Sequence, residues 1–221
     1  MATAPKRTTY TSPKGTFKYP SLSKPDYGNE KFPKPDGEFK TAVVMSIQDA
    51  QPLIKQLQVE WDTAIKLGKE AFAEMAVVQR KKFGSVKEQP FYETEYDPDT
   101  EQETGNVIFK VKTKYKIMDK KTGEARFNRI GLFDAKGKPL AAGTSIYGGT
   151  VGKVAFQTSP YFIAGQAMAG LSLRLSGVQV IDLVGPGERS SSSMGFGVEE
   201  GYEAEEAPTF ESSVNGDPDD F

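Results

Sequence analysis

The sequence predicts a mainly β protein, a small barrel or sandwich, with one long amphipathic helix and a disordered acidic C-terminal tail. Three observations predict it. From residue 106 onward, short runs of alternating apolar and polar residues are separated by Gly-bearing turns. Residues 49–83 switch to a helical period. The last thirty or so residues are poor in aliphatic side chains and rich in carboxylates, so they cannot bury enough apolar area to offset chain entropy.

Residues 1–23 are rich in Thr, Ser, Lys and Pro and are expected to form a basic N-terminal arm, either disordered or contacting phosphates, or a loosely attached first strand. Lys24-Pro25-Asp26-Tyr27-Gly28-Asn29-Glu30 has the composition of a turn. Residues 37–46, with Phe39, Val43 and Val44, read as a strand. In 49–83, Ala50, Leu53, Ile54, Leu57, Trp61, Ala64, Ile65, Gly68, Ala71, Phe72, Met75 and Ala76 repeat at i, i+3, i+4. Asp49 is the expected N-cap and Pro52 falls in the expected first turn. Gly68 either interrupts the helix or allows close packing, and Arg80-Lys81-Lys82 suits its C-terminal dipole. Residues 84–105 read as a polar, acidic linker. Its alternating acids do not make a calcium loop, because Gln102 stands where the sharp-turn Gly is needed.

Asn106–Met118 alternates cleanly, Asp119–Gly123 turns, and 125–133 is the expected returning strand. A turn at 134–138 and a Gly-rich stretch lead to strands at 153–161 and 171–184. Residues 24–184 are thus expected to form one domain, followed by a Gly/Ser linker and an acidic tail over 185–221.

Composition excludes several chemistries. The chain has no Cys and no His, which removes disulfides, thiolate metal sites, Ser-His-Asp catalysis and ordinary zinc sites. A non-catalytic protein without cofactors is expected. An enzyme would have to work through carboxylates and Lys, and a nuclease using Asp97 and Asp99 is the form considered. No apolar run approaches the roughly 20 residues of a membrane span, and no apolar signal-peptide core is present, so an intracellular, soluble protein without membrane contact is expected. Gly148-Gly-Thr-Val-Gly-Lys153 lacks Walker spacing, and Val154 follows the Lys instead of Ser or Thr.

Charge is the sharper signal. The formal net charge is -2, from 28 Lys+Arg and 30 Asp+Glu. Nine of those acids lie in Ser190–Phe221, a stretch without Lys or Arg, so a body of net +7 carries a tail of -9. Such asymmetry suggests a polyanionic partner. In 109–117 strand alternation puts Phe109, Val111, Thr113, Tyr115 and Ile117 on one face and Lys110, Lys112, Lys114 and Lys116 on the other. Four adjacent cations fit a phosphate track, although a solvated or Lys-protected edge face is the simpler alternative. Lys120, Lys121, Arg126 and Lys153 extend the basic set, with Arg126 facing away from the core if Phe127 faces in. Tyr147, Phe156, Tyr161 and Phe162 are interleaved with these cations, and Tyr161, after Ser159-Pro160, is the favoured base-stacking residue. Duplex reading would use a basic recognition helix, which the amphipathic helix is not, so single strands are the expected ligand. Tethered carboxylates would occupy the basic groove and be displaced by nucleic acid.

These residues also resemble a family. Lys24–Glu30, Phe109-Lys110 followed by Asp119–Thr122, Gly148-Gly149 leading to Pro160-Tyr161, and a tail ending in Asp219-Asp220-Phe221 occur in the order seen in single-stranded DNA-binding proteins of podovirus-type (short-tailed) bacteriophages. The resemblance spans nearly the whole chain. It implies an OB-fold barrel with an added long helix, a homodimer, roles in phage DNA replication, recombination and repair, and work in the cytoplasm of an infected bacterial host. It further implies that the tail, through Asp219, Asp220 and Phe221, contacts the phage DNA polymerase and primase-helicase, and that Lys112, Lys153 and Tyr161 fall in DNA-binding stretches. One departure is Asp36, where the family carries a basic residue. The alternative reading is a non-catalytic phage protein-interaction or virion structural component with a basic face.

Overall fold

The structure, a computed structural model, describes residues 8–119, 122–141 and 143–185. In chain order it contains β1 (Thr9–Thr11), β2 (Gly15–Gly28), β3 (Pro33–Ser46), α1 (Ile47–Ala73), α2 (Val77–Phe83), β4 (Lys87–Gln89), β5 (Glu93–Tyr96) and β6 (Glu103–Lys114). There follow β7 (Lys116–Met118), β8 (Ala125–Phe127), β9 (Gly131–Phe133), β10 (Val151–Ile163) and β11 (Met168–Asp182). Five long strands close on themselves. β2 pairs β3, β3 pairs β6, β6 meets β11 in parallel, β11 pairs β10, and β10 returns to β2. This is the strand order of an OB-fold barrel. Closure removes the open sheet edge that a flat arrangement of these strands would present.

Alternation builds the core. On β3 the odd residues Phe39, Thr41, Val43 and Met45 are buried, and on β6 Val107, Phe109 and Val111 are buried. Phe17, Phe109 and Phe156, from three different strands, are fully buried. Each contributes roughly 1.5–3 kcal/mol from area removed from water. Of the two expectations for 1–23, the free basic arm is corrected here and the first strand is what its described residues form. Thr9–Thr11 pairs with β10, and Phe17 and Leu22 of β2 lie in the core. Its apolar residues are too sparse to show a period, yet two of them suffice to dock it. Residues 1–7 lie outside the described part.

The helix is as long as its period suggests but is broken. α1 ends at Ala73, and α2 restarts at Val77 without a side-chain cap. The break follows from burial. Ala50, Leu53, Ile54, Leu57, Ala64, Ile65 and Gly68 pack on the barrel, whereas nothing in α2 is buried. Past Gly68 the helix has left the body, so packing no longer enforces the period. Ser46, not Asp49, is the N-cap, its Oγ accepting the Asp49 N–H at 3.1 Å. That start places Pro52 beyond the first turn, where it leaves the Gln48 carbonyl without a helical donor. Gly68 serves close packing. A Cβ there would sit 2.3 Å from the Cβ of Ala169 on β11.

Two further expectations are revised. The linker 84–105 contains β4, which runs parallel to the start of β11, and β5, which pairs with β6. Trp61 Nε1 donates to the Gln89 carbonyl at 2.8 Å and ties this segment to α1. The expected strand 125–133 is two strands. β8 folds back on β7, and β9 crosses to run parallel to β11 at Gly177–Gln179.

Candidate nucleic-acid interface

The outer faces of β2, β3, β6 and β11 form one surface, and register aligns their cations in rows. Lys40 of β3 stands opposite Lys112 of β6, which stands beside Arg174 of β11. Lys18 of β2 stands opposite Ala42, which stands opposite Lys110. Neighbouring strands are about 4.8 Å apart, so the Lys40–Lys112–Arg174 row spans only about 10 Å.

The lysine strand is not a bare positive track. Lys110 pairs with Glu93 at 2.6 Å, Lys112 with Glu38 at 3.5 Å, and Lys114 with Asp36 at 2.7 Å. Lys40 pairs with Asp26 at 2.6 Å, and Lys18 with Glu95 at 2.5 Å. The acids that answer the repulsion between lysines come from adjacent strands. Hydrogen bonds from Lys40, then Lys34 and the Gly28 N–H, hold Asp26 well below the usual carboxylate range. Burial pushes Glu38 up, but the bond from Lys34 and the charges of Lys112 and Lys34 outweigh it and lower it overall. Lys114 likewise lowers Asp36, the position where the resembled family is basic. The lysine side chains in the three β6 pairs are about two-thirds exposed, so each pair is weakened by solvent and exchanges readily with another anion.

Arg174 differs. It is exposed and has no ion pair among the described residues. A cleft of about 460 Å³ gathers it with Lys110, Lys112, Tyr92 and Tyr161. Tyr161 of β10 stands opposite Gly170 of β11. A Cβ at Gly170 would lie 2.6 Å from the Tyr161 hydroxyl and 2.9 Å from its ring, so the bare backbone is what lets the ring lie across β11. Burial against that surface pushes the Tyr161 hydroxyl pKa up.

The remaining expected residues are dispersed. Lys114 lies beyond this cleft, beside Asp36 and Lys34. Tyr115 bends the chain after it and packs on Phe39, with ring centroids 5.7 Å apart. In the β7–β8 hairpin Lys116 faces Phe127, and Arg126 faces Ile117. Arg126 and Lys116 therefore lie on opposite faces. Phe127 does not point into the core as the placement of Arg126 assumed: it is 56% exposed and rests on Tyr115. Lys153 lies at the other end of β10 from Tyr161, in a separate cleft. Lys120, Lys121, Asp219, Asp220 and Phe221 lie outside the described residues. Phe156 is core, and Gly148-Gly149 is a turn whose Gly149 N–H bonds the Phe17 carbonyl. Asp97 accepts the Asp99 and Thr100 N–H groups within its own turn and does not converge with Asp99 on a shared site.

Residues 14–183 match the family described as single-stranded DNA-binding protein, bacteriophage T7. The chain belongs to this family. It is 32% identical over 210 residues to the single-stranded DNA-binding protein of Enterobacteria phage T3, covering 91% of this chain and 88% of that protein. It is 30% identical over 180 residues to the protein of the same name from Escherichia phage T7, covering 79% and 75%. The crystal structure of gp2.5, a single-stranded DNA-binding protein encoded by bacteriophage T7, superposes with a TM-score of 0.60 at 25% identity, over 90% of this chain and 100% of that one. The single-stranded DNA-binding protein of bacteriophage Enc34 in complex with ssDNA shares the fold, with a TM-score of 0.50 at 16% identity over 81% and 89%. Family members carry the name of a binding protein, not of an enzyme, in line with the non-catalytic expectation.

Within this family frame, Arg174 is the residue that sequence reasoning passed over. Its signal was present: Leu171, Leu173 and Leu175 alternate, so the residue between the last two must face out. Among the described residues no group of acids is placed to hold a metal, and no helix is long and apolar enough to cross a membrane.

Proposed function

We propose that this chain binds single-stranded DNA without sequence preference and serves phage DNA replication, recombination and repair. The observation that carries the reading is the cleft where Arg174, Lys110 and Lys112 meet Tyr161, in a chain of this family. Cations bind the backbone, and the face of an aromatic ring beside them accepts bases of any identity. Lys110, Lys112 and Tyr161 are the residues proposed to bind first, with Lys114, Lys116, Arg126 and Lys153 contacting strand that extends past the cleft. Phosphates replace Glu93 and Glu38 as partners of the lysines.

The tail belongs to the same proposal. Its nine carboxylates compete for the cations in the free protein, and DNA displaces them. Released, Asp219, Asp220 and Phe221 recruit the phage DNA polymerase and primase-helicase. The protein acts as a homodimer in the cytoplasm of the infected host.

A second reading has one observation in its favour. The alternating cations and acids on β2, β3 and β6 would also suit a mixed-charge protein partner. Oligonucleotide titrations separate the two. Full-length protein is expected to bind single strands far more tightly than duplex, and deletion of residues 198–221 to strengthen single-strand binding while weakening association with the polymerase. Equal affinity for both strand types would count against the cleft, and unchanged affinity on deletion against the competing tail.

A further inference from the structure

Tyr161 has a counterpart at the other end of β11. Phe133, the last residue of β9, is 38% exposed, and its ring lies on bare backbone. A Cβ on Gly131 would sit 2.6 Å from its Cε2 and 3.0 Å from its Cζ, while one on Gly177 would be 4.0 Å from Cε2. One face is thus seated on the backbone of Gly131, where a Cβ would clash with it, and its edge reaches Gly177 at ordinary contact distance. The ring borders a cleft of about 270 Å³ whose lining includes Ala155, Gly177, Gly137 and Lys153.

Register fixes what stands beside the ring. Phe133 is opposite Gln179, and Gln179 is opposite Lys153, so ring and ammonium flank a single residue. The Gln179 amide is engaged, donating to the Ala135 carbonyl at 3.2 Å. Asp134, the acid next in sequence, accepts the Lys136 and Lys138 N–H groups in its own turn. Lys153 has no ion pair among the described residues. Lys18, Lys40, Lys110, Lys112 and Lys114, on β2, β3 and β6, are matched by acids, whereas Lys153 and Arg174, on β10 and β11, have no ion pair among the described residues.

Gly170, under Tyr161, and Gly177, beside Phe133, are seven residues apart on β11 with Arg174 between them. At the rise of a strand, less the local bulge, that is about 20 Å. We propose that Phe133 is a second base-stacking position, and that a single strand runs along β11 from Tyr161, past Arg174, to Phe133 and Lys153. A seated ring, a largely apolar cleft and an unmatched cation at its rim fit a nucleotide: base on the ring, phosphate on the ammonium. The proposal rests on the single-strand reading above and adds the strand's direction to it.

The test is a pair of anisotropy titrations of the full chain, with an oligothymidylate of about 3 nucleotides, too short to reach from one ring to the other, and one of about 16, near the upper site size of such folds. Phe133→Leu is expected to weaken the long oligonucleotide about fivefold to a hundredfold and to leave the short one, held at Tyr161, nearly unchanged. Phe133→Tyr keeps the ring and is expected to bind both as the parent does. Lys153→Gln, which spares the packing, is expected to show the same length-dependent loss. Parent-like binding of the long strand by Phe133→Leu and Lys153→Gln would overturn the proposal, as would an equal loss on both lengths. Failure of the parent protein to bind either strand would instead overturn the single-strand reading itself.

Discussion

Glu93 and Arg174 show how much one charge depends on strands distant in sequence. Lys110 reads from sequence as a phosphate ligand, and in the barrel it is held by Glu93 at 2.6 Å. Replacing Glu93 by Gln removes that competitor and keeps the shape of the side chain. The expected result is single-strand affinity raised several-fold at low salt, since exposed pairs are worth about 0–1 kcal/mol. Weaker binding would mean that Glu93 positions the lysine for DNA. The alternation that buries Phe109 and Val111 was legible, because period two is written in consecutive residues. The pairings Lys110–Glu93, Lys112–Glu38 and Lys114–Asp36 were not, because they depend on register between strands.

At the scale of elements, α1 is fixed by close approach as much as by its apolar stripe. Gly68 meets Ala169 so closely that a Cβ would sit 2.3 Å from its neighbour. Gly68→Ala is expected to destabilise the fold by about 1–3 kcal/mol through overpacking, offset by up to about 1 kcal/mol of better helix propensity. Ala169→Gly in the same chain should recover most of the loss. Thermal melts of the parent and the two variants check this, and a higher melting temperature for Gly68→Ala alone would refute the contact. The helical period over 49–72 was legible, whereas the break at 74–76 was not, since the apolar pattern runs on through Met75 and Ala76 after the barrel surface has ended. The strand 125–133 was misread for a related reason. Phe127 and Phe133 share a parity, but they belong to strands that pair with different partners.

Across the whole molecule, the barrel wall is a mosaic of matched charges, and this gives stability a definite pH dependence. Asp26, Glu38 and Asp36 are all held below their ordinary values by lysines. A depressed folded-state pKa contributes stability that is present above the unfolded value, near 4, and is lost as pH falls through the folded one. The melting temperature is therefore expected to start dropping as pH falls below about 5 and to go on dropping below about pH 3, and Asp26→Asn should flatten the lower part of that drop. A profile unchanged by Asp26→Asn would show that the pairs of Asp26 with Lys40 and Lys34 stabilise nothing. The charge split between body and tail was visible from composition alone, and so was the class of ligand it suggests. Which cations remain unmatched became visible only once the chain closed into a barrel.

Salt dependence tests most directly whether the cleft at Arg174 holds the phosphates of a single strand. Binding of a long oligothymidylate should weaken linearly in log affinity with log salt, by about 0.7 per phosphate contacted, and Arg174→Gln should make that slope shallower by about 0.7. Binding that ignores salt, or a slope that Arg174→Gln leaves unchanged, would contradict the account.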